Sequence, residues 1–150
     1  MKDVTRAAAA IISDPEGRVL LVQHSSGQRR WGLPGGHIRP AEFPVESIVR
    51  EVRRETGMEV EVVDLLGLYH LYGHLAGDDE ELPDLLTYAF RCRTISGEPV
   101  LNGQGRLCQL GWYAPGCEPS TLTHTARAAL RDCGESRAGV VRDLSRELVS

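Results

Sequence analysis

The sequence predicts a mixed α/β fold built as one domain. Three observations predict it. A chain of 150 residues with 41% apolar and 25% charged residues has the composition of an ordinary globular protein and is long enough for a substantial core. Residues 44–56 carry an amphipathic helix pattern with neither glycine nor proline inside it after Pro44. Around that helix lie several runs that alternate or are β-branched, separated by turn residues.

In chain order, residues 4–13 and 18–24 read as two strands. Asp14-Pro15-Glu16-Gly17 between them is a turn signal, so they are expected to form a hairpin. Ser25 to Arg30 is polar and reads as a loop. Arg29 and Arg30 are candidates for touching a phosphate there, against the simpler reading of solvated loop arginines. Trp31 lies beside Gly-Leu-Pro-Gly and is expected to anchor the turn by packing rather than to stack on a base. His37 reads as a solvated loop histidine.

The helix of residues 44–56 is bounded by local signals. Pro44 suits the first turn, where its missing N–H is no loss, and Gly57 suits the left-handed closing position. Val45, Ile48, Val49 and Val52 form an apolar stripe that would pack on a sheet. Glu51 and Glu55 are i and i+4, so both carboxylates project from one face. Alone they repel; a hard divalent cation between them would reverse the sign, because Mg²⁺ binds through one or two carboxylates plus substrate phosphates. The competing reading is a solvated acidic face with Arg50, Arg53 and Arg54 as counter-ions.

Residues 59–72 read as a long strand with Gly67 as a bend, and residues 85–95 and 107–114 as two more. Residues 73–84 form an acidic loop. Asp78, Asp79, Glu80 and Glu81 are read there as a solvated stretch, or as a lid donating a base or metal ligand. His70 and His74 do not share a face on such a segment, so no zinc pair is expected. Residues 121–133 and 136–149 have helical composition; Ala126, Ala129 and Leu130 face one way on the first, and Val140, Val141, Leu144 and Leu148 on the second. Cys92, Cys108, Cys117 and Cys133 match no zinc spacing and, with no secretion signal, are expected as reduced thiols in a cytoplasmic protein. The apolar run Ala7 to Ile12 is too short for a membrane span, and no membrane partner is expected. A net charge of −4 argues against binding duplex nucleic acid but leaves room for a locally positive nucleotide site.

The stretch from Gly36 to Met58 resembles the signature of the Nudix hydrolase family, of MutT-like type: Gly36, then Glu42, then Arg50-Glu51-Val52-Arg53-Arg54-Glu55-Thr56-Gly57-Met58, preceded by Trp31-Gly32-Leu33-Pro34-Gly35-Gly36. One fixed position departs, with Arg54 where the first Glu of a Glu-Glu pair is expected. The resemblance implies an α/β/α sandwich around a mixed β-sheet and a Mg²⁺- or Mn²⁺-dependent hydrolase that cleaves a nucleoside diphosphate linked to another group. It assigns Glu51, Glu55 and the Gly35 carbonyl to the metal, and Glu42 and Arg50 to bracing the ligands. Glu51 or a neighbour is a candidate for helping to deprotonate the attacking water. A nucleoside triphosphate or nucleotide sugar is the expected substrate, and the family commonly dimerises.

Arg54 has two open readings. A guanidinium cannot bind a cation, so it pairs with Glu51 or contacts a substrate phosphate. The family also often shows an acid shortly before the tryptophan of the last predicted strand, whereas no acid stands between Val100 and Gly116. Activity with fewer metals is the leading expectation. A nucleotide-binding module without catalysis is the alternative, and an interaction protein using its C-terminal helices is a third reading.

Overall fold

A computed structural model describes residues 3–73, 82–102 and 105–147. In order they form β1 (Val4–Ile12), β2 (Val19–His24), β3 (Trp31–Gly32), β4 (Gly35–His37), α1 (Pro44–Thr56), β5 (Glu59–Tyr72), β6 (Asp84–Ser96), β7 (Leu107–Tyr113), α2 (His124–Gly134) and β8 (Val140–Ser145). A five-stranded sheet runs β4-β1-β6-β5-β8 and a three-stranded sheet runs β3-β2-β7. The larger sheet is mixed: β1 and β6 are parallel, as are β5 and β8, while β4 and β5 run antiparallel to β1 and β6 respectively.

The layering follows from alternation along β1, which is buried on both faces. Ala8, Ala10 and Ile12 pack with Ile48 and Val52 of α1, whereas Ile11 points the other way and joins Leu66, Tyr69, Ala89 and Ala129, the last from α2. The two helices therefore sandwich the sheet, as expected. The alanine run, poor in strand propensity, suits a strand pressed between two helices, where small side chains let both approach. Within α1, Ile48 and Val52 are fully buried, but Val45 stands 47% exposed, so the apolar stripe is narrower than its sequence pattern. Among the described residues no helix is long and apolar enough to cross a membrane.

Two expectations are corrected. The turn at Asp14 forms, with its carboxylate accepting from the Arg18 and Glu16 amides at 2.8 and 3.0 Å. Only one bridge, Ser13 to Val19, follows it, and β1 and β2 do not make a hairpin. Both edges of β1 are already taken by β4 and β6, so β2 pairs with β3 and β7 instead. The second C-terminal helix is also absent: Val140–Ser145 is a strand lying parallel to β5. Its burial alternates, with Val140 and Leu144 packed inward and Val141 71% exposed. Adjacent β-branched residues fit that pleat better than a helix. Gly67 makes the pairing feasible, since a Cβ there would lie 2.4 Å from Val140 Cγ2; the register of β5 also shifts between Leu65 and Gly67, where the bend was expected. Leu148 and the acidic run Asp78, Asp79, Glu80 and Glu81 fall outside the described residues, as does His74.

A buried polar lock holds α2 on the sheet. The hydroxyl of fully buried Tyr69, on β5, donates to Asp132 Oδ2 at 2.9 Å, and Arg142 of β8 grips the same carboxylate through Nη2 at 2.7 Å and Nε at 3.1 Å. The Arg142 hydrogen bonds hold the Asp132 carboxyl below its usual range.

Candidate active site

The site is built on α1. Pro44 occupies its first turn, Glu46 accepts from the Phe43 amide at 3.0 Å, and Gly57 closes the helix with φ 74°. This fixes the rotation of the helix, and Glu51 and Glu55 turn inward: each residue is 5% exposed. The reading of a solvated acidic face is thereby excluded by burial.

The loop of β4 lies directly over these carboxylates. The Gly35 amide donates to Glu55 Oε1 at 2.9 Å. A Cβ on Gly35 would stand 2.1 Å from the Ala8 carbonyl oxygen, and one on Gly36 would stand 2.7 Å from the Glu51 carboxyl carbon. The double glycine thus lets backbone and carboxylates approach within contact distance. Glu42 and Arg50 form a two-pronged pair, Nε to Oε2 at 2.7 Å and Nη2 to Oε1 at 3.0 Å, and Arg50 Nη1 reaches Glu51 Oε1 at 2.6 Å. Arg50 also touches the His37 carbonyl at 3.3 Å, which ties the loop to the helix. The guanidinium beside Glu42 lowers its carboxyl to about 2.

Glu55 is different. Burial pushes its carboxyl up to about 7, with the Glu51 charge adding to the rise and the Gly35 amide, Arg54 and Arg106 opposing it. Arg54 pairs with Glu51 Oε2 through Nε, at 3.1 Å, and through Nη2. Of the two readings of Arg54, the ion pair with Glu51 is the one present in this structure. Both oxygens of Glu51 therefore carry a guanidinium, while Glu55 has a backbone amide alone among the hydrogen-bond donors described.

Two buried carboxylates under a cradle that a Cβ would fill suit one hard ion completed by water and substrate oxygens. No cluster of three or more acidic, histidine or cysteine side chains able to hold a metal exists among the described residues.

A cavity of about 490 Å³ opens beside the same loop. Gly35, Gly36 and His37 form one wall; Arg30, Thr123, His124 and Arg146 are among the residues forming the rest. Arg29 does not line it; its guanidinium donates to Cys108 Sγ at 3.4 Å. Trp31 is buried edge-on against Tyr113, with ring centroids 5.3 Å apart, as a packing anchor. Sequence reasoning missed His124 and Arg146. The one local signal was Thr123, whose hydroxyl accepts from the Ala126 amide at 3.2 Å and caps α2, placing His124 at the helix start.

The fold and this helix-borne pair of carboxylates under a glycine loop define a class of protein that compares directly with known ones. The family whose pattern matches is described as the NUDIX domain, over residues 3–132. A MutT NUDIX hydrolase from Burkholderia pseudomallei superimposes with a TM-score of 0.75 at 30% identity, covering 87% of this chain and 98% of that one. A MutT-like protein from Streptomyces ambofaciens is 30% identical over 109 residues, 73% of this chain and 63% of its own length. The 8-oxo-dGDP phosphatase NUDT18 of Mus musculus is 27% identical over 125 residues, 81% of this chain. The chain spans 25% and 36% of the length of curated relatives from Caenorhabditis elegans and mouse. The chain belongs to the Nudix hydrolase family.

Proposed function

We propose that residues 1–150 act as a single Nudix domain that hydrolyses the pyrophosphate linkage of a nucleoside diphosphate derivative with a divalent cation, Mg²⁺ or Mn²⁺. The observation that carries this reading is the pair of buried carboxylates, Glu51 and Glu55, held on one helix face beneath Gly36 and braced by Arg50 and Glu42. Glu51 has its arginines, but burying Glu55 beside it with only a backbone amide as donor is costly unless a cation joins the two carboxylates. Glu51, Glu55 and the Gly35 carbonyl would hold the ion. When bound, it would activate water and neutralise phosphate charge.

The residues around it have separable tasks. Arg50, fixed by both Glu42 oxygens, orients Glu51. Arg54 and Arg106 supply positive charge near Glu55, where substrate phosphates would lie. Glu51 is held by arginines on both oxygens, so it must exchange a guanidinium for the ion on loading. Arg54 is the partner to leave, because Arg50 is anchored by Glu42; once released, Arg54 is placed to meet a phosphate oxygen. One ion, with Arg54 standing in for further positive charge, is the complement this site supports. A nucleoside triphosphate or a nucleotide sugar, with its diphosphate over the α1 carboxylates, is the expected substrate. NUDT18, named as an 8-oxo-dGDP phosphatase, is a relative whose named substrate is a nucleoside diphosphate.

The Arg54–Glu51 ion pair favours a second reading, a nucleotide-binding module that does not cleave. Product release from a panel of nucleoside triphosphates, dinucleotides and nucleotide sugars separates the two. With Mg²⁺ or Mn²⁺, turnover is expected, with loss in chelator and in Glu51→Gln and Glu55→Gln. Nucleotide binding without turnover on any substrate would leave the module in its place.

Removing Arg54 tests the exchange. Arg54→Ala is expected to tighten Mg²⁺ binding roughly tenfold, because Glu51 no longer sheds a partner, and to lower kcat/KM at saturating metal. Calorimetric metal titration reads the first effect; unchanged affinity would mean that Arg54 does not compete for Glu51.

A further inference from the structure

The cavity beside the glycine loop carries a charge pattern that the cleavage reaction does not use. Its lining holds two arginines, Arg30 and Arg146, and three histidines, His24, His37 and His124, with no aspartate or glutamate among the described residues. Arg30 donates to Gln28 Oε1 at 2.9 Å through Nε and to the Leu122 carbonyl at 3.3 Å. Arg146 donates to the Gly73 and Pro83 carbonyls at 3.0 and 2.8 Å. Every one of these acceptors is neutral. Both guanidiniums are fixed in direction, and among the described residues neither has an anion to balance it. Other arginines of the described chain, Arg50, Arg54 and Arg142 among them, meet carboxylates.

His124 registers the imbalance. Burial lowers its pKa, and the guanidiniums of Arg30, Arg127 and Arg146 lower it further, so three positive charges act on one ring at the start of α2. Burial also lowers His24. Neutral imidazoles at physiological pH still offer an N–H donor, without adding to the repulsion between the arginines.

The rest of the lining tests what this charge is for. A nucleobase pocket would be expected to offer a broad aromatic face for stacking. No Phe, Tyr or Trp lines the cavity among the described residues; Trp31 and Tyr113 are spent on each other. The apolar part, Ala7, Ala8, Ala9 and Ala126 with three leucines, makes up most of the lining, but its side chains are aliphatic and give shape rather than stacking. Fixed, unneutralised guanidiniums in a concave site favour an anion, and their planar fork matches phosphate oxygens.

We propose that this cavity receives a second phosphate of the substrate, carried on the group linked to the diphosphate, and that Arg30, Arg146 and His124 bind it. The substrate class is then a diphosphate-linked compound with a further phosphate remote from the cleaved bond. The inference rests on the reading that the diphosphate lies over Glu51 and Glu55, since Gly35 and Gly36 are shared by both sites. Arg30 and His124 are specificity-determining here; the cleavage itself stays with the α1 carboxylates.

The test uses the full chain in chelator, so that metal and turnover play no part. Inorganic phosphate, and separately adenosine, are titrated while the ring resonances of His124 are followed by NMR, assigned with His124→Gln. Phosphate is expected to raise the His124 pKa and to bind roughly tenfold more weakly to Arg30→Gln and to Arg146→Gln. Glu55→Gln should leave that phosphate response intact. A folded wild-type chain in which phosphate leaves His124 unmoved, or adenosine alone moves it, overturns the proposal. So does wild-type phosphate affinity in either arginine variant, with folding confirmed by unchanged amide spectra. Failure of turnover in the substrate panel with the His124 response present would count against the hydrolase reading alone.

Discussion

Glu55→Gln is expected to make the metal-free protein more stable above pH 7 while abolishing its turnover. The two effects have one cause. The Glu55 carboxyl is buried at 5% exposure, has one backbone donor at Gly35, and sits near the Glu51 charge. Burial pushes it up to about 7 from an ordinary value of 4.5. A folded-state value above the unfolded one means that the native chain holds the proton more tightly. Stability from this group is therefore fully present below pH 4.5 and is lost as pH rises through about 7. A shift of that size corresponds to a loss on the order of 3 kcal/mol.

Glutamine keeps the shape and keeps an acceptor for the Gly35 amide, but carries no charge to desolvate. Between acid and neutral pH the parent chain should lose stability relative to Glu55→Gln, with the gap closing again below about pH 4.5. Saturating Mg²⁺ should restore the parent and leave the variant unmoved, because only a ligand that binds the native state contributes. Chemical denaturation at a series of pH values, with and without Mg²⁺, measures all of this. Loss of a direct ligand should cost at least about a hundredfold in metal affinity, more than loss of a supporting contact. Parallel pH profiles for parent and variant would remove the argument that Glu55 is held in reserve for a cation.

How much of this site was legible in the sequence depends on whether its signals were local. The limits of α1 were readable because Pro44 and Gly57 act on their own turns, and the inward phase of Glu51 and Glu55 follows once Ile48 and Val52 are set on the sheet. The partner of Glu42, Arg50, lies on α1 within the same motif, and the resemblance of that motif to the family signature assigned the pair. The choice Arg54 makes between Glu51 and a phosphate was not readable, because both satisfy the same side chain. The destination of β2 depended on which strands claimed the edges of β1, a long-range competition with no local signature. Residues 140–145 read as a helix because Val140, Val141 and Leu144 fit either period; Gly67, far away in sequence, settled it by admitting Val140. The cavity was the least legible feature. Arg30, His124 and Arg146 meet only after β2, α2 and β8 are all in place.

The lock on α2 gives the second large expected effect. Asp132→Ala should destabilise the protein by about 3 kcal/mol. The side chain is 3% exposed and accepts from both Tyr69 and Arg142. Its removal leaves the Tyr69 hydroxyl buried with no partner, a cost of about 1–3 kcal/mol, and strips Arg142 of its counter-ion. Arg142 is 39% exposed and can turn toward water, which keeps the total at the lower end of what breaking a buried pair costs. Tyr69→Phe removes donor and demand together and should cost only about 1 kcal/mol. Combined with Asp132→Ala it should add little, because the orphaned hydroxyl is gone. The functional consequence separates the lock from the α1 site. Asp132 ties α2 to β5 and β8, and the start of α2 carries Thr123 and His124 on the cavity wall. In a folded sample Asp132→Ala should raise KM more than it lowers kcat, with Mg²⁺ affinity unchanged, since Glu51 and Glu55 hang on α1 and β4 instead. Equal losses in kcat and metal affinity would show that α2 supports the carboxylates as well as the cavity.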